Sequence, residues 1–349
     1  MSAVATSPSG SASDVRLPVD FQTSDIPEIP TESLDACPVC GGDRYDLLTE
    51  GLDYELRTCR NVWRFVRCHA CGHVWLNPRP AVSALKIIYP PTYYAYNYDS
   101  EVSSIAARGK EIMDAFKLRW VLKRLPRPAT SYLDIGCGDG RYLKVMEKQG
   151  IPRDHLWGLE LDPRPLESLA AAGYRVFCER VESADMIAER SVDVATMFHV
   201  IEHVDDPKRV VRKIASWLAP GGILAIETPN IDSLDARRFS NHYWGGYHIP
   251  RHWNLFTPST LERLLRDGGL EPFAVQYQTG HAFWMYSFHH ALRYRWNRPR
   301  LAGYFDPFKG LLPLLAGFTV LDKLRAMMGF KTSGILMLAR RRDDARVAA

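Results

Sequence analysis

The chain has 349 residues, of which 46% are apolar and 24% are charged, and its formal net charge is +4. This length suits one full core domain with a smaller module, and the apolar content is that of an ordinary soluble globular protein. This charge is compatible with anionic partners but does not require nucleic acid. It is unevenly distributed, because residues 1–35 carry six acids and only one basic residue, Arg16, so the remaining residues have a net charge near +9.

Residues 1–35 are rich in Ser, Pro, Ala and acidic residues. Segments of this kind bury too little apolar surface to offset the entropy lost on ordering, so a disordered tail is predicted. The segment also lacks the apolar core of about 7 or more residues, after a basic start, that marks a secretory signal. We therefore expect a cytoplasmic protein.

Two C-x-x-C-G motifs follow the tail, with 27 residues between them. Their thiols belong to Cys37, Cys40, Cys68 and Cys71. Four thiolates in this pattern predict a tetrahedral zinc site and a zinc ribbon over residues 36–80. Such a site has closed coordination, so the zinc is expected to be structural. Two disulfides, which the expected compartment disfavours, and four unrelated buried thiols are the alternatives.

An aromatic segment separates the ribbon from the next element. Residues 88–98 contain five tyrosines and two prolines, which is too aromatic for a solvated linker. These tyrosines are expected to lie over a ligand cleft or a domain seam, where they either contact a substrate or simply pack. A helix is predicted from about Ser103 to Lys123, and residues 81–128 are interpreted as a linker and a lid helix.

A glycine-rich turn then follows a short apolar strand. The strand, residues 131–135, leads into Gly136, Gly138 and Gly140 and then into a helical pattern. Glycines here remove side chains where a ligand must press against backbone at a helix N-terminus. The third glycine comes one residue earlier than in the dinucleotide pattern G-x-G-x-x-G. Asp134 lies within the strand, where it would repel a pyrophosphate and attract a cationic ligand.

Further segments follow at ordered spacings. Residues 156–161 form an apolar strand pattern in which Glu160 is placed to accept both ribose hydroxyls of a nucleotide, whereas Asp162 is expected to be a surface acid. Residues 192–197 have the pattern of a buried strand. The remaining pattern comprises a helix over 207–218, a turn at 219–222 and an apolar strand over 223–230.

These segments resemble the class I S-adenosylmethionine-dependent methyltransferases, whose first motif is an acid, one apolar residue and G-x-G-x-G. The resemblance implies an α/β fold over 129–342, with a Rossmann-like seven-stranded sheet and helices on both faces. It also implies S-adenosylmethionine as the cofactor, with Asp134 and the glycine loop at its methionine end, Glu160 at its ribose and residues 177–182 beside adenine. Phe198 is assigned to the same cofactor site. A Gly-rich turn in another α/β protein, or a methyltransferase fold without catalysis, is the alternative.

Residues 199–203 fit H-x-x-E-H, the pattern of an inverted zinc-protease site. That site needs both histidines on one face of a helix, whereas His199 is predicted to end a strand. A metal site of another kind stays open, since ubiquinone-pathway O-methyltransferases carry a similar segment that can hold a divalent ion, with glutamate where His199 stands. Its ligands here would be His199, Glu202 and His203. Otherwise His203 is expected to cap or pack the loop.

The segment 241–257 is unusually rich in aromatic residues and histidines for a connector. Methylation of a hydroxyl needs a base for the proton, and imidazole has a suitable pKa near neutrality. His248 and His252 are the leading candidates for this catalytic base, with His199 third, and each has the alternative role of bracing its loop. Arg251 is expected either to hold an anionic group of the acceptor or to pair with an acid in the core seam.

Residues 280–331 are predicted to form a helical insert before a closing strand at 334–339, and residues 343–349 to form a tail. From 281 to 331 the insert contains 11 aromatic residues, 8 Lys or Arg and 2 Asp. Its longest nearly unbroken apolar run, 311–321, falls short of the roughly 20 residues that cross a bilayer. The insert is expected either to cover the acceptor pocket or to rest peripherally on anionic lipid at the inner face of a membrane.

A zinc ribbon ahead of this fold resembles the layout of enzymes that modify sugars and surface glycans. The resemblance implies a small-molecule or glycan acceptor, methylated at a hydroxyl. Some ribosomal-RNA methyltransferases share the layout, and they would need a basic, aromatic ribbon face. That requirement is partly met by Arg57, Arg60, Arg64, Phe65 and Arg67. RNA is therefore kept as the second acceptor class, although a nucleic-acid partner is not expected.

Overall fold

The computed structural model describes residues 18–22, 25–91, 93 and 104–342. Predictions for residues 1–17, for the tyrosines at 94, 96 and 98 and for the tail 343–349 lie outside these residues. The described chain contains a seven-stranded sheet, a four-stranded sheet and a two-stranded pair.

Thirteen strands are present in the described ranges. They are β1 (Thr31–Glu32), β2 (Tyr45–Gly51), β3 (Trp63–Cys68), β4 (Val74–Leu76), β5 (Arg79–Pro80), β6 (Tyr132–Ile135), β7 (Leu156–Leu159), β8 (Arg175–Phe177), β9 (Val192–Phe198), β10 (Leu218–Pro229), β11 (Asn254–Leu255), β12 (Leu270–Gln278) and β13 (Gly334–Arg341). The seven-stranded sheet has the order β12-β13-β10-β9-β6-β7-β8. Its pairs are parallel from β10 to β8, whereas β13 runs antiparallel between β10 and β12.

Helices cover both faces of this sheet, and the described residues contain ten α-helices in all. They are α1 (Leu85–Ile88), α2 (Ser104–Leu122), α3 (Arg141–Lys148), α4 (Arg164–Ala171), α5 (Pro207–Trp217), α6 (Leu234–Arg238), α7 (Pro258–Asp267), α8 (His281–His290), α9 (Pro299–Gly303) and α10 (Leu312–Met327). Ile214 of α5 and Leu264 of α7 share a hydrophobic cluster with Leu133, whereas Leu118 of α2 clusters with Tyr132. Successive residues of β6 thus face opposite layers, as strand geometry requires. The predicted α/β fold with a Rossmann-like seven-stranded sheet is confirmed.

The turn predicted at 219–222 lies inside β10. Pairing of β10 with β9 is irregular between Leu218 and Ile223, and Gly221 has a φ of +76° there. The residues predicted to form a turn therefore form a local irregularity within β10, and the strand continues beyond it. All seven residues of β9 are buried, as expected for a parallel strand covered on both faces.

The cysteine-rich segment forms an antiparallel sheet of order β11-β4-β3-β2. The edge strand β11 comes from the segment 241–257, and its Leu255 pairs with Val74. Trp75 of this sheet and Phe256 belong to the same hydrophobic cluster as the core of the central sheet. We call this four-stranded sheet the ribbon sheet. Residues 36–80 supply only three of its strands, because the fourth, β11, comes from a distant part of the chain.

Part of the predicted disordered tail is ordered. β1 pairs with β5, and Arg79 donates to Glu32 at 2.7 Å. Phe21 is buried against the rings of Tyr54 and Tyr294, with centroids 6.2 and 6.1 Å apart. The prediction of disorder is therefore wrong for residues 18–22 and 25–35. Composition did not reveal this order, because isolated apolar residues dock on partners far away in the sequence.

The insert between β12 and β13 is helical. α8 continues into a π-helical segment, Ala291–Arg295, and α9 and α10 follow. α10 packs on α8 through the stacked rings of Phe318 and Trp284, whose centroids are 5.5 Å apart. Among the described residues, no helix combines the length and apolar character needed to cross a membrane.

Candidate cofactor and acceptor site

The three glycines after β6 have different structural roles. Gly136, Gly138 and Gly140 all have positive φ values, between 51° and 74°. A Cβ on Gly136 would overlap the side chain of Val200, and one on Gly140 would lie 2.5 Å from Leu169. A Cβ on Gly138 would have no atom of the described residues within 4 Å. Gly138 therefore leaves the loop backbone open to a ligand, whereas its neighbours are also constrained by packing.

Asp134, in β6 beside this loop, has an unsatisfied carboxylate oxygen. Its side chain is buried, and the hydroxyl of Thr196 donates to Oδ1 at 2.9 Å. Oδ2 is also buried and has no hydrogen-bond partner among the residues that the structure describes. Burial raises the pKa of Asp134 to about 7, and a nearby cation would lower it. A buried acceptor of this kind fits the cationic methionine end of S-adenosylmethionine.

Glu160 connects the glycine loop with the end of β7. Its Oε2 accepts the Gly138 N–H at 3.0 Å, and its Oε1 accepts the N–H groups of Leu161 and Asp162. The residue is half-buried, so the carboxylate is accessible to ribose hydroxyls. Asp162 instead pairs with Arg164 at 2.6 Å, and only 9% of its side chain is exposed, so the expectation of a surface acid is wrong.

Phe198 ends β9 next to a buried ion pair. Its ring lies edge-on to Tyr142 with centroids 5.0 Å apart, and the Lys117 ammonium lies 4.4 Å from its centroid. Lys117 Nζ donates to Glu227 Oε2 at 2.5 Å. Burial opposes ionisation of Glu227, but the Lys117 ammonium holds its pKa well below the usual range. A fixed pair of charges therefore borders the carboxyl end of β9.

His199 follows Phe198 in a left-handed backbone conformation, with a φ of 57°. Its Nδ1 lies 3.3 Å from Glu202 Oε1 and its Nε2 lies 3.6 Å from Glu227 Oε1, while 48% of the side chain is exposed. Although burial alone would lower it, the proximity of these two carboxylates raises the pKa of His199 to about 9. His199 is thus accessible to an acceptor and protonated at neutral pH.

The H-x-x-E-H segment is not a single helix. β9 ends at Phe198, and Ile201–His203 is a short 3-10 helix, so the zinc-protease geometry is absent from this segment. Ligand atoms of Glu202, His203 and His252 lie within 4.8 Å of one another. The third residue of this candidate metal cluster is therefore His252, whereas the sequence suggested His199.

His248 and His252 are buried within their loop. His248 Nδ1 lies 2.7 Å from Glu55 Oε2, and its Nε2 lies 3.0 Å from the hydroxyl of Tyr93. His252 Nδ1 lies 2.8 Å from a backbone carbonyl, and burial lowers the pKa of His252 well below its usual range. Both rings lie close to that of His203. The structure therefore brings the two leading candidates for the base together, with contacts that brace the loop.

Arg251 follows the second of its two predicted roles. Its buried guanidinium donates to both carboxylate oxygens of Asp53, at 3.1 and 3.0 Å, and to the carbonyl of Ile88 at 2.8 Å. This ion pair joins the segment after β2 to the segment 241–257, which we call the histidine loop. Removal of either partner would leave a buried unpaired charge, at a cost of roughly 3–5 kcal/mol.

The four cysteines predicted to bind zinc form one cluster. The sulfur atoms of Cys37, Cys40, Cys68 and Cys71 lie within 4.8 Å of one another, with 3.7 Å between Cys37 and Cys71 and 3.5 Å between Cys40 and Cys68. In a tetrahedral site with Zn–S bonds of about 2.3 Å, sulfur atoms lie about 3.8 Å apart. All seven cysteines of the chain are free thiols. The donor set and its spacing fit zinc.

Comparison with known proteins gives the same assignment for the central domain. Residues 106–275 match a family model described as a methyltransferase domain. The ubiquinone biosynthesis O-methyltransferase of Thiobacillus denitrificans is 30% identical over 173 residues, which cover 46% of this chain and 72% of that protein. The chain belongs to the class I S-adenosylmethionine-dependent methyltransferases. A protein of the same name from Xanthomonas campestris pv. campestris is 34% identical over 128 residues, which cover 34% of this methyltransferase and 51% of its relative.

Two solved structures resemble this methyltransferase in fold. One, a possible histamine N-methyltransferase from Thermotoga maritima, has a TM-score of 0.47 and 18% identity, covering 74% of this chain and 100% of that chain. The other is 1,6-didemethyltoxoflavin-N1-methyltransferase from Burkholderia thailandensis with bound S-adenosylhomocysteine. It has a TM-score of 0.45 and 19% identity, covering 80% of this chain and 95% of that chain.

The ribbon of this methyltransferase offers little of the surface that RNA binding would need. Phe65 is buried and stacks on Tyr247, with ring centroids 5.0 Å apart. Arg64 pairs with Glu50 at 2.7 Å, and Arg57 lies 3.7 Å from Asp20. The aromatic ring predicted for base stacking is therefore part of the core, and three of the arginines have acidic partners, since Arg60 also lies 4.0 Å from Glu28.

Several residues of the site were not singled out from the sequence. Glu55, Lys117 and Glu227 contact the predicted histidines or Phe198, which was predicted to lie at the cofactor site. An acid inside the apolar strand pattern at 223–230 is a signal that identifies Glu227, as it did Asp134. Lys117 and Glu55 have no comparable signal, because each reaches its partner only after distant segments pack together.

Loss of either proposed cofactor carboxylate should weaken binding of S-adenosylhomocysteine. We expect Asp134→Ala and Glu160→Ala each to reduce the affinity at least about tenfold, since a lost hydrogen bond to a charged group costs roughly 1.5–3 kcal/mol. Isothermal titration calorimetry provides the measurement. Asp162→Ala is the matched control, because Asp162 belongs to the same segment but pairs with Arg164. Unchanged affinity in both site variants would refute this assignment.

Proposed function

We propose that this methyltransferase transfers the methyl group of S-adenosylmethionine to a hydroxyl of a small molecule or glycan. Relatives named as ubiquinone biosynthesis O-methyltransferases support oxygen as the acceptor atom. When bound, S-adenosylmethionine supplies a methyl group on a sulfonium that is already a good leaving group. The protein's contribution is then mainly to position the acceptor oxygen in line with that methyl group.

The observation that carries the proposal is the position of His199. This half-exposed imidazole follows Phe198 at the carboxyl end of β9, and its neighbour Val200 packs against Gly136 of the glycine loop. Ligands of open α/β sheets bind at this edge. An acceptor hydroxyl placed there would have an imidazole within reach for its proton.

His199 is the proposed base, and its two carboxylate neighbours set its charge. Glu202 and Glu227 stabilise the imidazolium that forms once the acceptor proton has been taken. The same carboxylates keep His199 protonated at neutral pH, so the base must first lose a proton before it can act. His248 and His252 are proposed to position the loop, since the described ring contacts of His248 involve both of its nitrogens.

We also propose that the cysteine cluster holds one structural zinc ion. The four thiolates would close its coordination sphere, so the ion would contribute folding energy rather than chemistry. The glycine Gly42 supports this assignment, because its N–H points to the sulfur of Cys40 at 3.4 Å. Amide donors of this kind stabilise thiolates bound to a metal.

A labelled methyl donor identifies the acceptor class directly. The purified protein is incubated with extracts and with S-adenosylmethionine carrying a labelled methyl group, and the products are examined by mass spectrometry. We expect a labelled methyl group on an ether oxygen of a small molecule or glycan, and much less label with the Asp134→Ala variant. Label on RNA would instead favour the second acceptor class, and label on nitrogen or carbon would contradict O-methylation.

A further inference from the structure

The insert carries an apolar helix face that points away from the protein. Along α10 the outward residues are Leu312, Val320, Leu324 and Met327, which are 59%, 55%, 53% and 84% exposed. Their spacing of eight, four and three residues places them on one face of the helix. Further apolar residues continue this surface beyond the helix end, namely Met328 and Phe330. Exposed apolar patches on this scale mark interaction surfaces.

The orientation of α10 is fixed by polar contacts on its inner side. Asp322 is buried, and its carboxylate accepts from the Gly280 N–H, the Trp284 indole and the Ser333 hydroxyl at 2.9 to 3.2 Å. Phe318, one turn earlier, stacks on Trp284. Rotating the helix to bury its apolar face would break these contacts, and the Asp322 carboxylate would lose its three hydrogen bonds. The apolar face is therefore held outward by the fold.

The charge around this face is positive. The insert contains eight basic residues and two acids, Asp306 and Asp322. Asp322 is the buried residue on the inner side of α10, and Asp306 accepts the backbone N–H groups of Phe308 and Lys309. Lys309 and Lys323 lie at exposed positions before and on α10. Two aromatic side chains of the insert, Trp296 and Tyr304, are also exposed.

We propose that α10 is a docking surface for a membrane containing anionic lipid. An apolar helix face with flanking lysines and exposed aromatics in the same insert matches the boundary between headgroups and acyl chains, where apolar burial and attraction to anionic headgroups act together. A second copy of the chain fits less well, because two such faces would bring like charges together. The helix lies in the membrane plane in this arrangement and does not cross the bilayer.

The same insert borders the candidate acceptor site. Phe283 of α8 lies beside His199, with ring centroids 6.5 Å apart. The next residue, Trp284, stacks on Phe318 of α10. A docked α10 would therefore hold this side of the site near the lipid surface, which suits an acceptor carried on a lipid.

Vesicle cosedimentation of the full-length protein tests this surface. We expect the wild-type protein to bind vesicles made of equal parts of phosphatidylcholine and phosphatidylglycerol, and to bind phosphatidylcholine alone much more weakly. Leu324→Glu combined with Met327→Glu should lower the bound fraction at least about tenfold, because each change removes apolar contact with the lipid and places a charge at that surface. Lys309→Glu combined with Lys323→Glu should weaken vesicle binding, and the binding that remains should depend less on salt concentration.

Controls separate loss of docking from loss of folding. Leu47→Glu changes a similarly exposed leucine, 51% exposed, on β2 of the ribbon sheet, and it should leave vesicle binding unchanged. All variants should keep wild-type affinity for S-adenosylhomocysteine, whatever the acceptor proves to be. Equal binding to neutral and anionic vesicles would overturn the proposal. A second result would also overturn it. In that result the wild-type protein does not bind vesicles but forms a dimer in analytical ultracentrifugation, and the Leu324→Glu and Met327→Glu changes dissociate the dimer.

Discussion

Replacement of Cys37→Ser together with Cys40→Ser is expected to abolish zinc binding and to destabilise the ribbon. The wild-type protein should contain about one zinc per chain, and binding of a structural zinc is worth roughly 10–16 kcal/mol in small zinc domains. Most of that free energy is available only while all four thiolates are present. Elemental analysis of purified protein and thermal unfolding followed by circular dichroism are the measurements.

The loss should extend beyond the ribbon itself. β11 of the histidine loop pairs with β4, and Arg251 of that loop pairs with Asp53 after β2. We therefore expect increased amide hydrogen exchange in the loop 241–257 of the double variant. Cys178→Ser is the matched control, because Cys178 is exposed and is not part of the cluster. Wild-type protein without zinc, or a double variant with normal zinc content, would disprove the assignment.

Substitution of His199→Ala is expected to reduce turnover by roughly 10²–10⁴-fold, the usual contribution of a general base. Affinity for S-adenosylhomocysteine should stay at the wild-type value, because the assigned cofactor contacts lie on Asp134, Glu160 and the glycine loop. Single-turnover kinetics with the acceptor identified by labelling measures the step directly. His248→Ala and His252→Ala should mainly lower thermal stability, since both rings brace their loop. A full loss of turnover in His252→Ala with normal activity in His199→Ala would reverse the assignment.

The pH profile provides an independent test of His199. Because its pKa is raised to about 9, the neutral base is scarce at pH 7, and turnover should rise with pH until about 9. Glu202→Gln removes one of the carboxylates that favour the imidazolium, so the pKa of His199 should fall and the rising limb should move to lower pH. A profile that does not move in Glu202→Gln would indicate that another group is titrating.

Short motifs were sufficient to predict the strand and glycine loop that we propose to bind the cofactor. Gly136, Gly138, Gly140 and Asp134 lie within seven residues of sequence, and their local backbone conformation creates the loop. The four cysteines are equally local within each knuckle. The structure refined one point: only Gly138 faces open space, whereas Gly136 and Gly140 are also required by contacts with Val200 and Leu169.

The acceptor side depended on contacts that no local pattern contains. His248 contacts Glu55, 193 residues away, and Arg251 pairs with Asp53, 198 residues away. Ordering of residues 25–35 depends in the same way on pairing with β5. Burial and the pKa shifts that follow from it exist only once these segments have packed, so the ranking of the three histidines could not be read from their spacing.

The sequence by itself determined the α/β fold, the glycine loop and the cysteine cluster, because alternating glycines, apolar strand runs and paired C-x-x-C motifs act over a few residues. Only the tertiary structure decided which histidine is accessible between two carboxylates and which face of α10 is outward. Those outcomes depend on buried acids such as Glu227 and Asp322, whose roles come from the residues packed around them.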